Sequence, residues 1–216
     1  MTQPEGSLGR REAPDRSGLQ VTRVVVGPLQ TNCWVVADLR NGEALVVDPG
    51  AEARRILDAV AGLDVKTIVV THAHGDHVGA LVEVADTLGA PVVAHPAEAP
   101  VWPRPLQPWA SGTRDVVGGD RLAFGSFEAE ILDLPGHTPG GIGLRLPGCV
   151  ISGDTLFPGG PGATGRPFSD FDAIIDSIGR VLFSLGDETV VHPGHGDDTT
   201  IGEERPHLDE WKARRW

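Results

Sequence analysis

The sequence predicts an α+β fold of two sheets with helices packed outside them. Short β-branched runs are separated by turn residues, helical spacing follows them, and the same strands-then-helix order returns later in the chain.

Residues 1–18 are polar and charged with little to bury, and read as a disordered tail ahead of a catalytic domain over 19–216. VTRVVVG (21–27), NCWVVAD (32–38) and EALVVDPG (43–50) read as a strand meander. Asn41-Gly42 supplies its hairpin turn, because both residues accept positive φ. Ile56, Leu57, Val60 and Leu63 fall at helical spacing and predict an amphipathic helix over 53–63. A strand is expected over 66–72, a helix over 78–88 and a strand over 91–95. Residues 96–119 interleave five prolines with Trp102 and Trp109, so the stretch is expected to sustain no helix and to pack its rings on the body, with lining of a substrate cleft as the alternative role of the two rings. Segments 124–136 and 141–154 are strand-rich, and Ile174, Ile175, Ile178 and Leu182 mark a helix over 171–185. A strand and loop over 189–195 and a terminal helix packing Leu208 and Trp211 complete the reading.

Composition narrows the function. With 40% hydrophobic residues in 216, the chain can build a core without disulfides. Cys33 and Cys149 both lie in apolar runs and read as small core residues, which fits a reducing, cytoplasmic setting. No apolar run approaches the ~20 residues of a membrane span, and the opening residues lack a secretory signal's hydrophobic stretch. A net charge of −12 with lysine only at 66 and 212 argues against a nucleic-acid surface. The expected partner is a small molecule.

Chemistry concentrates in His72-Ala73-His74-Gly75-Asp76-His77, directly after a predicted strand. At this chain's own residue frequencies such a cluster arises by chance roughly once in a thousand sequences. Residues two apart on extended backbone point the same way, so His72 and His74 can converge on one ion. Asp76 and His77 follow where the chain turns into a helix, and can face a second. His137, Asp154 and His195 each follow a β-rich run and a glycine, the setting of a functional loop at a strand end. Alone, each is weak; beside the cluster they gain weight. His95, His192 and His207 read as capping, strand-closing and helix-packing residues.

These motifs resemble the metallo-β-lactamase superfamily over about residues 20–206. THAHGDH, LPGHTPGG, SGDTLF and PGHG look like the metal-binding segments of its glyoxalase II-type thioester hydrolases, in the short single-domain form. The resemblance implies an αββα sandwich with the metal site at one edge. It implies that His72, His74 and His137 hold one ion, that Asp76, His77 and His195 hold another, and that Asp154 bridges them. LVVDPG resembles the segment whose aspartate, here Asp48, supports that shell. Two divalent ions are expected, zinc first, with iron or manganese as alternatives. Water bridging such ions becomes hydroxide near neutral pH and attacks the substrate carbonyl, with Asp76 orienting it or taking its proton. A thioester suits this machinery because its thiol leaves without strong acid assistance. Arg166 is the candidate for a substrate carboxylate. The alternative is a persulfide dioxygenase on the same fold, which uses one iron held by residues corresponding to His72, His137 and Asp154.

Overall fold

The computed structural model describes residues 18–215, so the tail expected over 1–18 lies outside the described residues except for Gly18. The first sheet begins with the antiparallel strands β1 (Leu19–Val26), β2 (Thr31–Asp38) and β3 (Glu43–Val47). It continues in parallel through β4 (Asp64–Val69), β5 (Val92–Ala94) and β6 (Arg114–Asp115). The second sheet takes β7 (Arg121–Phe124), β8 (Phe127–Asp133), β9 (Ile142–Leu146) and β10 (Cys149–Gly153). A small ribbon of β11 (Leu156–Phe157) and β12 (Gly160–Pro161) follows. The chain then returns to the second sheet with β13 (Val190–Pro193) and β14 (Thr199–Thr200), giving the order β14-β13-β10-β9-β8-β7.

The two-residue period of a strand sorts the apolar side chains into layers. In β2, Cys33, Val35 and Ala37 face an outer core with Ile56, Leu81 and Val84, while Trp34 and Val36 face an inner core with Phe124, Ile131 and Leu144. Coverage on both sides explains why β2 is apolar without alternation. Beyond the second sheet, Leu134, Val150 and Val191 pack against Ile174, Ile178, Leu182 and Trp211. Three apolar layers thus separate helix, sheet, sheet and helix, the αββα sandwich. Both cysteines are buried in these cores and form no disulfide among the described residues.

Several elements differ from expectation for local reasons. Helix α1 (Ala53–Ala59) stops short of residue 63 because Gly62, at φ 84°, turns the chain into β4. The helix expected from 78 starts earlier, as one turn α2 (Gly75–Val78), and resumes as α3 (Leu81–Leu88). Between them the Ala80 N–H donates to the Pro49 carbonyl (3.0 Å) and leaves the helical ladder. The expectation of no helix over 96–119 is corrected. Short 3₁₀ turns form at Pro96–Glu98 and Arg104–Leu106, followed by α4 (Gln107–Ala110). Each has proline in its first turn, where the missing N–H is no loss. As expected, Trp102 is buried in the outer core and Trp109 packs beside it. The helix over 171–185 is composite: α5 (Phe171–Asp176), capped by the Asp170 carboxylate, runs into a wide turn over 177–181 and a 3₁₀ turn over 182–184. Helix α6 (Ile201–Glu204) carries a Thr200/Glu203 capping box, and α7 (Leu208–Arg214) buries Trp211.

Strands β10 and β13 are parallel neighbours, so the loops leaving them emerge on one edge. No helix among the described residues is long and apolar enough to cross a membrane. Ile131 is fully buried between the sheets. Ile131→Ala should cost about 2–5 kcal/mol in denaturant unfolding; a loss below about 1 kcal/mol would contradict close packing of the sheets there.

Candidate metal centre

Asp48 follows β3 directly, with a left-handed φ of 53°. Its Oδ1 accepts the Thr71 N–H (2.7 Å), and its Oδ2 accepts the Thr71 hydroxyl (2.5 Å). The same Oδ2 lies 2.9 Å from His77 Nδ1. One buried carboxylate therefore pins the entry to the histidine loop and holds the proton of His77 on Nδ1.

The other imidazoles are oriented by the same logic. His72 Nδ1 lies 3.1 Å from the Thr71 hydroxyl oxygen, whose own proton goes to Asp48. His137 Nδ1 lies 2.8 Å from the Ala163 carbonyl, and His195 Nδ1 lies 3.1 Å from the Leu29 carbonyl. Each of these four rings thus donates from Nδ1 and turns the lone pair of Nε2 inward. His74 presents Nδ1 instead, 3.0 Å from His137 Nε2. His77 Nε2 and His195 Nε2 are 3.3 Å apart.

The carboxylates complete the cluster. Asp76 Oδ2 accepts the Thr31 hydroxyl (3.1 Å) and lies 3.2 Å from His195 Nε2 and 3.5 Å from His77 Nε2. Asp154 stands between the two sets, with Oδ2 3.5 Å from His137 Nε2 and 3.7 Å from His195 Nε2, and Oδ1 3.5 Å from His77 Nε2. The seven residues singled out from the sequence are therefore brought together. Two trios stand out, His72–His74–His137 and Asp76–His77–His195, the donors within each lying within 4.8 Å of one another. Asp48, His72 and His77 form a third such group. Both Asp48 oxygens already accept hydrogen bonds, however, which makes Asp48 a support.

The donors fit divalent cations. Nitrogens held about 2.0–2.1 Å from a tetrahedral ion lie about 3.3 Å from each other, and the nitrogen pairs here are 3.0 and 3.3 Å apart. His72 Nε2 and Asp154 Oδ1 are buried with no hydrogen-bond partner, which costs about 1–3 kcal/mol per group unless a cation takes the lone pair. Electrostatics agree. Burial, reinforced by the neighbouring imidazoles, holds His72 well below the ordinary histidine range. Burial and His137 bring His74 down to about 4. At His77, burial acts downward but Asp154, Asp48 and Asp76 prevail and raise it to about 9. The hydrogen bond to Asp76 raises His195 despite its partial burial. Burial pushes Asp76 up, yet His195, His77 and the Thr31 hydroxyl together hold it well below the usual carboxylate range. Protons can satisfy only part of this array; the remaining lone pairs suit metal ions.

Residues without a sequence signal hold the loops. Asn32, at the start of β2, donates its side-chain N–H to the Pro193 and Gly196 carbonyls (3.0 Å each), and its backbone N–H to Gly194 (2.7 Å). It fixes the turn carrying His195. Gly194 cannot be another residue without cost, since a Cβ there would overlap Asp154 Oδ1 and His77 Cε1. Glu98, fully buried, accepts the N–H groups of Ala73 and Gly140. Burial raises its pKa, against those N–H groups that favour the anion. The other histidines keep ordinary roles. His95 caps the 3₁₀ turn at 96–98, His192 lies in β13 against Trp34, and His207 stacks near Trp211.

The centre opens into a cleft of about 470 Å³ whose walls include Leu29, Phe157, Pro158 and Arg166. Among the described residues Arg166 is the only lysine or arginine lining it, and no ion pair to its guanidinium is found among them. Trp102 and Trp109 line no part of this cleft.

The family model described as metallo-β-lactamase superfamily matches residues 26–195. The chain belongs to that superfamily. Hydroxyacylglutathione hydrolase GloC of Haemophilus influenzae is 33% identical over 203 residues, covering 87% of this chain and 95% of that protein. Among solved structures, TTHA1623 in a di-iron-bound form is similar with a TM-score of 0.74 and 37% identity, covering 85% of this chain and 96% of that one. ETHE1 from Myxococcus xanthus is similar with a TM-score of 0.76 and 29% identity, covering 87% and 82%.

Because Asp154 faces both trios, Asp154→Ala should lower bound metal below one ion per chain while circular dichroism stays native. Two retained ions by elemental analysis would contradict a bridging position.

Proposed function

We propose that the protein is a metal-dependent hydrolase of a small thioester, of the glyoxalase II type. The observation that carries this reading is the inward turn of five imidazoles and two carboxylates at the floor of an open cleft. A pair of divalent cations held by His72, His74 and His137 on one side and Asp76, His77 and His195 on the other, with Asp154 between, would supply Lewis acidity and acidify water. The similarity to GloC supports the choice of thioester, and the likeness to a di-iron protein keeps iron beside zinc as the metal.

The chain's own groups perform the rest. Asp76 is held ionised and is partly open to the cleft, so its carboxylate can orient water and accept its proton. The Thr31 hydroxyl, donating to Asp76 Oδ2, keeps that carboxylate in place. Attack of water oxygen on the thioester carbonyl forms the C–O bond and breaks the C–S bond, giving a carboxylic acid and a thiol. No side-chain nucleophile is needed; both cysteines are buried, and burial with the nearby Asp48 raises Cys33 well above the ordinary thiol range. Leu29 and Phe157 give the cleft an apolar wall, and Arg166 supplies the cation for a substrate carboxylate.

The test is metal analysis of protein purified without added metal, followed by turnover of thioesters, lactones and a chromogenic lactam. Two metal ions with thioester hydrolysis are expected. One iron with oxygen uptake on glutathione persulfide would replace the reading by the dioxygenase. Within the hydrolase, Arg166→Ala should raise KM for a carboxylate-bearing thioester about 10- to 100-fold, the size of a lost charged hydrogen bond, with little change in kcat. An unchanged KM would remove Arg166 from substrate binding.

A further inference from the structure

Glu98 plays no part in the chemistry above, yet it is the most completely buried carboxylate of the 96–119 stretch. Its Oε2 accepts the Ala73 N–H and its Oε1 accepts the Gly140 N–H, both at 2.7 Å. Ala73 lies between His72 and His74, and Gly140 belongs to the loop that carries His137. The two oxygens therefore join the two loops that supply one trio. Residue 140 is shaped for this contact, since a Cβ there would approach His95 Nδ1 to 2.7 Å and the Glu98 nitrogen to 2.9 Å. The turn bearing Glu98 is itself fixed: the His95 ring accepts from Ala97 N–H, and the N–H groups of Val101 and Trp102 donate to the Glu98 carbonyl. Trp102 anchors the segment in the outer core. A second tie, Ile142 N–H to the Thr71 carbonyl (2.9 Å), runs between backbone groups and also joins the loops. The other trio has supports that do not involve Glu98, Asn32 on the His195 turn and Asp48 on His77, although Asp48 also holds Thr71 ahead of His72.

We propose that Glu98 is a positioning residue for the His72–His74–His137 trio: by bridging Ala73 and Gly140 it sets the spacing of that trio and so the affinity of one metal site, with little effect on the other. This rests on the reading of the trios as metal sites, and it is independent of the substrate. It also gives the proline- and tryptophan-rich stretch a function, as the mount for this carboxylate.

The experiment compares metal binding to wild type, Glu98→Gln and Glu98→Asp by chelator competition with Zn²⁺, and by the absorption spectrum of the Co²⁺-substituted proteins. In Glu98→Gln an NH₂ group meets one of the two N–H donors. One of the two sites should weaken about 10- to 100-fold, the usual effect of losing a residue that orients metal ligands. The other site should keep its affinity, and the cobalt bands should shift. Glu98→Asp keeps the charge but is too short to reach both amides, so it should give a smaller, equally one-sided loss, and it serves if Glu98→Gln does not fold. Wild-type affinities and spectrum in the variants would overturn the proposal. So would equal weakening of both sites together with a lower melting temperature of the metal-free protein, which marks a general packing role. Wild type that binds no metal would instead remove the metal-site reading.

Discussion

The structure turns on a crowding of lone pairs. Five imidazoles and two carboxylates converge at the floor of the cleft, His72 and His77 fully buried and the others buried or half-buried, and protons cannot satisfy them all, because each charged imidazole disfavours the next. A divalent cation would relieve that conflict, and contacts from Thr71, Asp48, Ala163 and Leu29 to the ring Nδ1 atoms keep the lone pairs pointed inward. Four rings donate from Nδ1 to an oxygen so that Nε2 is left for the centre. The sandwich provides a rigid edge on which loops from both sheets can meet.

That edge is assembled from distant parts of the chain. Asp48 after β3, Asn32 at the start of β2 and Glu98 in the proline-rich stretch each fix a loop that contributes donors. Buried carboxylates are costly unless fully hydrogen-bonded, and these two are satisfied by backbone N–H, hydroxyl or imidazole groups. The cost is spent on geometry.

Much of this was legible from residues alone. The strand runs reported the two sheets because burial on both faces demands continuous apolar side chains, as in NCWVV. The candidate metal donors stand out because histidine is rare and three occur within six residues. The boundaries were less readable. Nothing in the local pattern says that Ala80 donates to Pro49, so the split between α2 and α3 was invisible. Prolines at 96, 105 and 108 discouraged a helical reading, although they occupy first turns where proline is tolerated. Asn32 and Glu98 were missed because their partners are backbone groups far away in sequence, which no motif records.

The central claim is that the seven donors form one centre for two cations. Anomalous diffraction from a crystal grown with the bound metal tests it most directly. Two peaks are expected, one inside each trio, with Asp154 between them. A single peak held by Asp48, His72 and His77, or no peak on an otherwise unchanged fold, would contradict it.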